Sequence, residues 1–192
     1  MDGGEVEAVI VPCPYVNFGC TEKFTYGEEL VHERKCRFAV CRCPAPYCRY
    51  SGVYKDLYSH FSANHNDEDY YAKFVCGSFT GARLSINEKI LFLQESADGP
   101  LVAVQCFAVE EGFYVTVNCI APSSPGVGEF SYHLSYTTPV GGRKRTMTFK
   151  QSEMNRIQRF SSETPEKDFM FVPYDFVGDT DSMKMEICIN RR

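Results

Sequence analysis

The strongest constraint on this chain is a pattern of cysteine and histidine that occurs twice. In "CPYVNFGCTEKFTYGEELVHERKC", six residues separate Cys13 from Cys20, eleven more lead to His32, and three more to Cys36. Shifted by 28 residues the pattern returns: six residues lie between Cys41 and Cys48, eleven more lead to His60, and four more to His65. Tyr26 falls on Tyr54 and Leu30 on Tyr58 under the same shift, so the match is an internal repeat. Each copy offers two thiolates from an irregular or hairpin segment and two further ligands from a helix. Sets of four sulfur and nitrogen donors close a tetrahedral structural zinc site and leave no position for a substrate water. The expectation is two structural zinc ions, held by Cys13, Cys20, His32 and Cys36 and by Cys41, Cys48, His60 and His65. Cys43 stands two residues beyond Cys41 and is the alternative fifth candidate. Phase in the repeat favours Cys41.

Local signals agree with a helix in each copy. Thr25 and Glu28 have the spacing of a capping box, and His32 and Cys36 are one helical turn apart. In the second copy Tyr54, Leu57, Tyr58 and Phe61 form an apolar stripe at helical spacing. The five-residue step from His60 to His65 suits a last turn that loosens.

Cysteine distribution supports metal over disulfides. Six of the ten cysteines fall between positions 13 and 48, beside histidines, whereas a disulfide framework would staple the whole chain. The five outside the expected ligand set (43, 76, 106, 119 and 188) read as reduced thiols packed as small apolar residues. His133 lies in an alternating segment with no cysteine close in sequence and reads as a surface or edge histidine.

Beyond about residue 74 the texture becomes that of a sheet protein. "EKILFLQESADGPLVAVQCFAVEEGFYVTVNCIAP" reads as three strands with turns at Asp98-Gly99 and Glu111-Gly112. "EFSYHLSYT" places Phe130, Tyr132, Leu134 and Tyr136 on one face, and "MKMEICI" does the same for Met183, Met185, Ile187 and Ile189. "RTMTFK" and "DFMFVPYDF" are strand-like, and "QSEMNRIQRF" reads as a short helix or edge segment. The fold class expected is α+β, mostly β: two small fingers followed by an antiparallel β-sandwich. This half carries no phosphate loop, no nucleophile elbow and no paired carboxylates in a motif, which points to a binding module. The basic run Gly141 to Arg145 reads as a solvated hairpin tip.

Charge narrows the partners. A net charge of −5 opposes generic binding to phosphate backbones or anionic membranes, and Glu28, Glu29 and Glu33 make the first helix a poor face for DNA. No apolar run approaches the roughly 20 residues that cross a bilayer. The acidic start lacks the pattern of a secretory signal. A soluble, cytoplasmic or nuclear protein without nucleic-acid or membrane partners is expected.

The paired pattern resembles the SIAH-type zinc finger of the seven-in-absentia ubiquitin-protein ligases. "VPCPYVNFGC", "CPAPYCRYSGVYKDLYSHF", "LVAVQCF", "YVTVNCIAP", "TPEKDFMFVPY" and "KMEICI" are similar to the plant SINA-like branch, from about residue 8 to 190. The four residues between Cys36 and Cys41 are fewer than in the animal members. The resemblance implies a lead over 1–10, a double zinc finger over 11–70 and a TRAF-like substrate-binding sandwich over 71–192. It implies a homodimer, or a heterodimer with relatives, that binds extended peptides of substrate proteins and directs them to ubiquitination and proteasomal degradation. A RING, which recruits the ubiquitin-conjugating enzyme, needs eight ligands of its own. The twelve residues before Cys13 contain no Cys or His, so no autonomous ubiquitin transfer is expected unless a RING is supplied elsewhere. The alternatives are a regulator that forms inactive mixed dimers and, more remotely, a nucleic-acid-binding zinc-finger protein.

Overall fold

A computed structural model describes residues 9–65, 71–85, 90–95, 99–177 and 182–192. Two small finger units precede a sandwich. The first finger pairs β1 (Ile10–Pro12) with β2 (Lys23–Thr25) and continues into a short helix, α1 (Glu29–Glu33). The second pairs β3 (Cys41–Arg42) with β4 (Ser51–Gly52) and continues into α2 (Tyr54–Asn64).

The ten remaining strands form two sheets; the first nine are β5 (Tyr71–Phe74), β6 (Phe79–Ser85), β7 (Ile90–Glu95), β8 (Leu101–Val109), β9 (Gly112–Ile120), β10 (Phe130–Val140), β11 (Arg143–Gln151), β12 (Asn155–Ile157) and β13 (Met170–Pro173). A one-turn helix, α3 (Tyr174–Val177), follows, and β14 (Ser182–Arg191) ends the fold. One sheet runs β11-β10-β14-β6; the other runs β12-β9-β8-β7-β5, with β13 also on β9. Leu93, Val104 and Val115 from one sheet meet Leu134, Met185 and Ile187 from the other in a single core. The alternating residues Phe130, Tyr132, Leu134 and Tyr136, and Met183, Met185, Ile187 and Ile189, are all buried in it.

Three local expectations change. The sandwich is mainly antiparallel, but β5 pairs with β7, and β12 with β9, in parallel. Each of these edge strands reaches its neighbour through a crossover, not a hairpin. The "QSEMNRIQRF" segment holds the edge strand β12, one of its two expected readings, whereas the end of "DFMFVPYDF" closes as α3. In the first finger Thr25 belongs to β2 and does not cap α1; Glu28 is the N-cap, without a side-chain hydrogen bond. Gly27, at φ 98° in the left-handed region that favours glycine, turns the chain between β2 and α1. The Asp98 half of the first expected turn lies outside the described residues; the second turn is Glu110–Glu111, with Gly112 already in β9.

The second finger is fused to the sandwich. Leu57 and Phe61 on α2 pack with Phe92, Leu101, Ala103 and Ile120, which point away from the main core on the outer face of the six-stranded sheet. The Phe61 and Phe92 rings meet edge to face, 5.2 Å between centroids. Fully buried Gln94 ties the same seam: its Nε2 donates to the Tyr58 carbonyl at 3.1 Å, and its Oε1 accepts from Ser62 Oγ at 2.8 Å and from the Tyr71 hydroxyl. Tyr58 donates its hydroxyl to the Glu95 carbonyl at 3.0 Å. Across the other side of the finger, Gln158 bridges Val40 and Arg42 through a side-chain and a main-chain bond. Truncating a fully buried Phe costs about 3–5 kcal/mol. Phe61→Ala is therefore expected to lower stability by about that much, and denaturation followed by near-ultraviolet circular dichroism is expected to show finger and sandwich losing cooperativity together.

Candidate metal centres

In the first finger the loop between β1 and β2 carries two cysteines. The Cys13 amide donates to the Glu22 carbonyl, extending the hairpin, and the Cys20 amide returns to the Tyr15 carbonyl. This turns both sulfurs inward. His32 projects from α1, and Cys36 follows the helix in a tight turn, not on its face. The ligand atoms of Cys13, Cys20, His32 and Cys36 all lie within 4.8 Å of one another.

The second finger repeats the design with one substitution. There the group within 4.8 Å is Cys43, Cys48, His60 and His65. Cys41, expected as the ligand from the constant shift of 28, sits in β3 opposite Gly52 and is fully buried in the seam with the sandwich. The physical reason is a shorter loop. The hairpin bond that Cys13 makes to Glu22 has its counterpart in the Cys43 amide bonding the Tyr50 carbonyl at 2.9 Å. Four residues separate Cys43 from Cys48, two of them prolines, against six between Cys13 and Cys20. The tighter turn moves the first sulfur position two residues along the strand. Ladder position was the signal that could have found it; distance from the other copy obscured it.

The separations match a tetrahedron. Bonds of about 2.3 Å to sulfur and about 2.0–2.1 Å to nitrogen give edges of ~3.8 Å between sulfurs, ~3.5 Å between sulfur and nitrogen and ~3.3 Å between nitrogens. Cys13 and Cys36 Sγ are 3.8 Å apart, Cys20 Sγ is 3.4 Å from His32 Nε2, and Cys48 Sγ is 3.3 Å from His60 Nε2. His60 and His65 Nε2 are 3.3 Å apart. His65 reaches inward because it leaves the helix, with φ −140°, while its amide still bonds the Phe61 carbonyl. The imidazoles are held by aromatic neighbours: Tyr50 stacks on His60 at 3.9 Å, and Phe24 lies 4.5 Å from His32.

Electrostatics favour a dication here. Burial is the main cause raising the Cys13, Cys36 and Cys43 thiols in the metal-free fold, the latter two to about 12. Burial, then His60, lowers His65, keeping its imidazole neutral and able to bind. A cation that displaces the thiol protons removes the repulsion among clustered sulfurs, and zinc supplies that charge in both sets. With four donors converging, neither centre leaves an open position for hydrolytic chemistry. Among the described residues no other such cluster of histidines, cysteines and carboxylates occurs. His133 is remote from both centres, on the outer face of the four-stranded sheet beside Phe79.

The family model described as "Sina, zinc finger" matches residues 6–73, the stretch that contains both centres. Over 97% of this chain, 63% of residues are identical to E3 ubiquitin-protein ligase SINA-like 2 of Arabidopsis thaliana, covering 58% of that protein. Putative E3 ubiquitin-protein ligase SINA-like 9 of the same plant is 43% identical over 96% of the chain and 67% of its own length. The chain belongs to the SINA-like family. It spans about half to two thirds of the length of these relatives; for E3 ubiquitin-protein ligase SINA-like 1, 58% identical over 81% of the chain, the covered share is 41%. The two finger clusters accord with the two zinc ions of a Sina finger pair, and no helix among the described residues is long and apolar enough to cross a membrane.

Two predictions follow from the geometry. Cys43→Ser is expected to leave one zinc per chain by metal analysis, whereas Cys41→Ser keeps two. The second variant instead loses stability by about 1–3 kcal/mol, because a hydroxyl replaces a thiol in an apolar seam. Two zincs in Cys43→Ser with one in Cys41→Ser would return the ligand to Cys41. Because the metal competes with protons for thiols that burial has raised, zinc retention is expected to fall progressively as pH is lowered, measured by dialysis at stepped pH.

Proposed function

We propose that this SINA-like chain is the substrate-recognition and dimerisation region of a ubiquitin-protein ligase, presenting bound proteins for ubiquitination and proteasomal degradation. The zinc ligands in this reading are Cys13, Cys20, His32 and Cys36, and Cys43, Cys48, His60 and His65. The double finger over 11–70 extends the partner-holding sandwich over 71–192, anchored through its second finger. The observation that carries the reading is the fusion of a four-donor finger to a sandwich with no catalytic constellation among the described residues, in a chain similar over nearly its whole length to proteins named as such ligases. A metal that is fully ligated by protein shapes a surface and does not activate water. Extended segments of partner proteins add along a sheet edge, where main-chain hydrogen bonds give affinity and side-chain pockets give selectivity. The dimer doubles those contacts and so raises the avidity for a partner that carries two segments.

Reconstitution tests this directly. The 192-residue chain is expected to elute at twice 21.8 kDa in light-scattering chromatography and to build no ubiquitin conjugates with activating and conjugating enzymes alone. Mixed with a full-length SINA-like relative, it is expected to co-purify with it and to bring captured proteins into conjugation. Conjugates formed by the chain alone, or a monomer that pairs with no relative, would contradict the proposal.

A further inference from the structure

The outer face of the six-stranded sheet is not uniform. The second finger covers one end, through Phe92, Leu101 and Ile120. The segment after β12 crosses the middle, where Gln105 Nε2 donates to the Ser161 carbonyl at 2.9 Å and Phe160 sits against Phe92. The far end is left to aromatic side chains and to an acidic turn.

Strand register builds that end. Phe107 on β8, Tyr114 on β9 and Phe171 on β13 stand side by side across three strands. Phe169, just before β13, stacks on Tyr114 with centroids 3.8 Å apart and 20° between planes, and Phe171 meets Tyr114 edge-on at 5.8 Å. The β8–β9 turn adds Glu110 and Glu111, both exposed, and neither is ion-paired among the described residues. Gly112 lets the turn close on β13: a Cβ there would lie 2.3 Å from the Val172 carbonyl oxygen. Val109, Glu110, Glu111, Tyr114, Phe169 and Phe171 line one open cavity of about 520 Å³, with Phe107 next to Tyr114 on the neighbouring strand.

Ring faces and carboxylates attract the same kind of group. The quadrupole of an aromatic ring draws a cation over its face, and a guanidinium can lie flat on a ring while its edge binds a carboxylate. An anion would be repelled by both features, and an apolar side chain would gain nothing from two carboxylates. We propose that this cavity receives the cationic side chain, arginine or lysine, of a protein held by the sandwich, making it a selectivity pocket on the outer face of the sheet beside its β13 edge. The inference stands independently of the ligase reading, since it concerns binding at one pocket and needs no ubiquitin transfer.

The test is nuclear magnetic resonance on the isotopically labelled full chain, titrated with the N-acetyl methylamides of arginine, lysine and citrulline. Citrulline has the shape of arginine without its charge. Arginine or lysine is expected to give saturable shifts in the rings of Tyr114, Phe169 and Phe171, with citrulline weaker by about two- to fivefold, the range of an exposed cation–aromatic contact. The double variant Glu110→Gln, Glu111→Gln, confined to an exposed turn, is expected to weaken the cationic probes and leave citrulline unchanged. Equal responses to citrulline and arginine, shifts confined to other residues, or no saturable shift with either cation would overturn the proposal.

Discussion

Metal ligation is the constraint on which this architecture rests. The buried interior of the first finger is little more than its own donors: Cys13, Cys20 and Cys36 with Ala39, fringed by partly buried Tyr15, Phe24 and Phe38. Hydrophobic burial of that size cannot offset the ordering of nearly thirty residues, each costing about 1–2 kcal/mol of backbone entropy. Four bonds to a zinc ion can, because in such small units the free energy of binding is folding free energy. The hairpin and the short helix are then arranged to bring four donors to one point, and little else in the finger is buried.

The second finger uses the same knot and a further support. Its helix turns Leu57 and Phe61 onto the outer face of the sandwich, where Gln94 bonds the Tyr58 carbonyl, Ser62 and Tyr71. The internal repeat thus serves two different settings. Tyr54 and Tyr58 are half-buried against the sandwich, while their counterparts Tyr26 and Leu30 in the first finger are exposed, along with Val31. One finger is a buttress to the body of the molecule; the other projects an apolar surface held in shape by its metal.

Much of this was legible in the residues because its causes are local. Period-two alternation marked β10 and β14, since each has one face in the core, and the apolar stripe on α2 marked a buried helix face. Ligand types and near-constant spacing pointed to seven of the eight donors that the structure brings together, Cys43 being the exception. Positions that depended on backbone geometry or on distant packing were hidden. Cys41 and Cys43 both lie at plausible spacing, and only the hairpin ladder, with a loop two residues shorter, puts Cys43 at the knot and Cys41 in the seam. Gly27 turns the chain between β2 and α1 through a conformation that no spacing rule encodes. The parallel edge pairings and the outer-face contact with the finger arise from residues far apart in sequence. The aromatic row on β8, β9 and β13 likewise exists only once register brings the three strands together.

X-ray absorption at the zinc edge of the purified protein tests the central claim most directly. Two sets made of Cys13, Cys20, His32 and Cys36 and of Cys43, Cys48, His60 and His65 contain five sulfurs and three nitrogens. The account predicts an average four-coordinate shell in that proportion, at about 2.3 Å for sulfur and about 2.0–2.1 Å for nitrogen. A shell rich in oxygen or with more than four donors, or folded protein that holds no zinc at all, would contradict it.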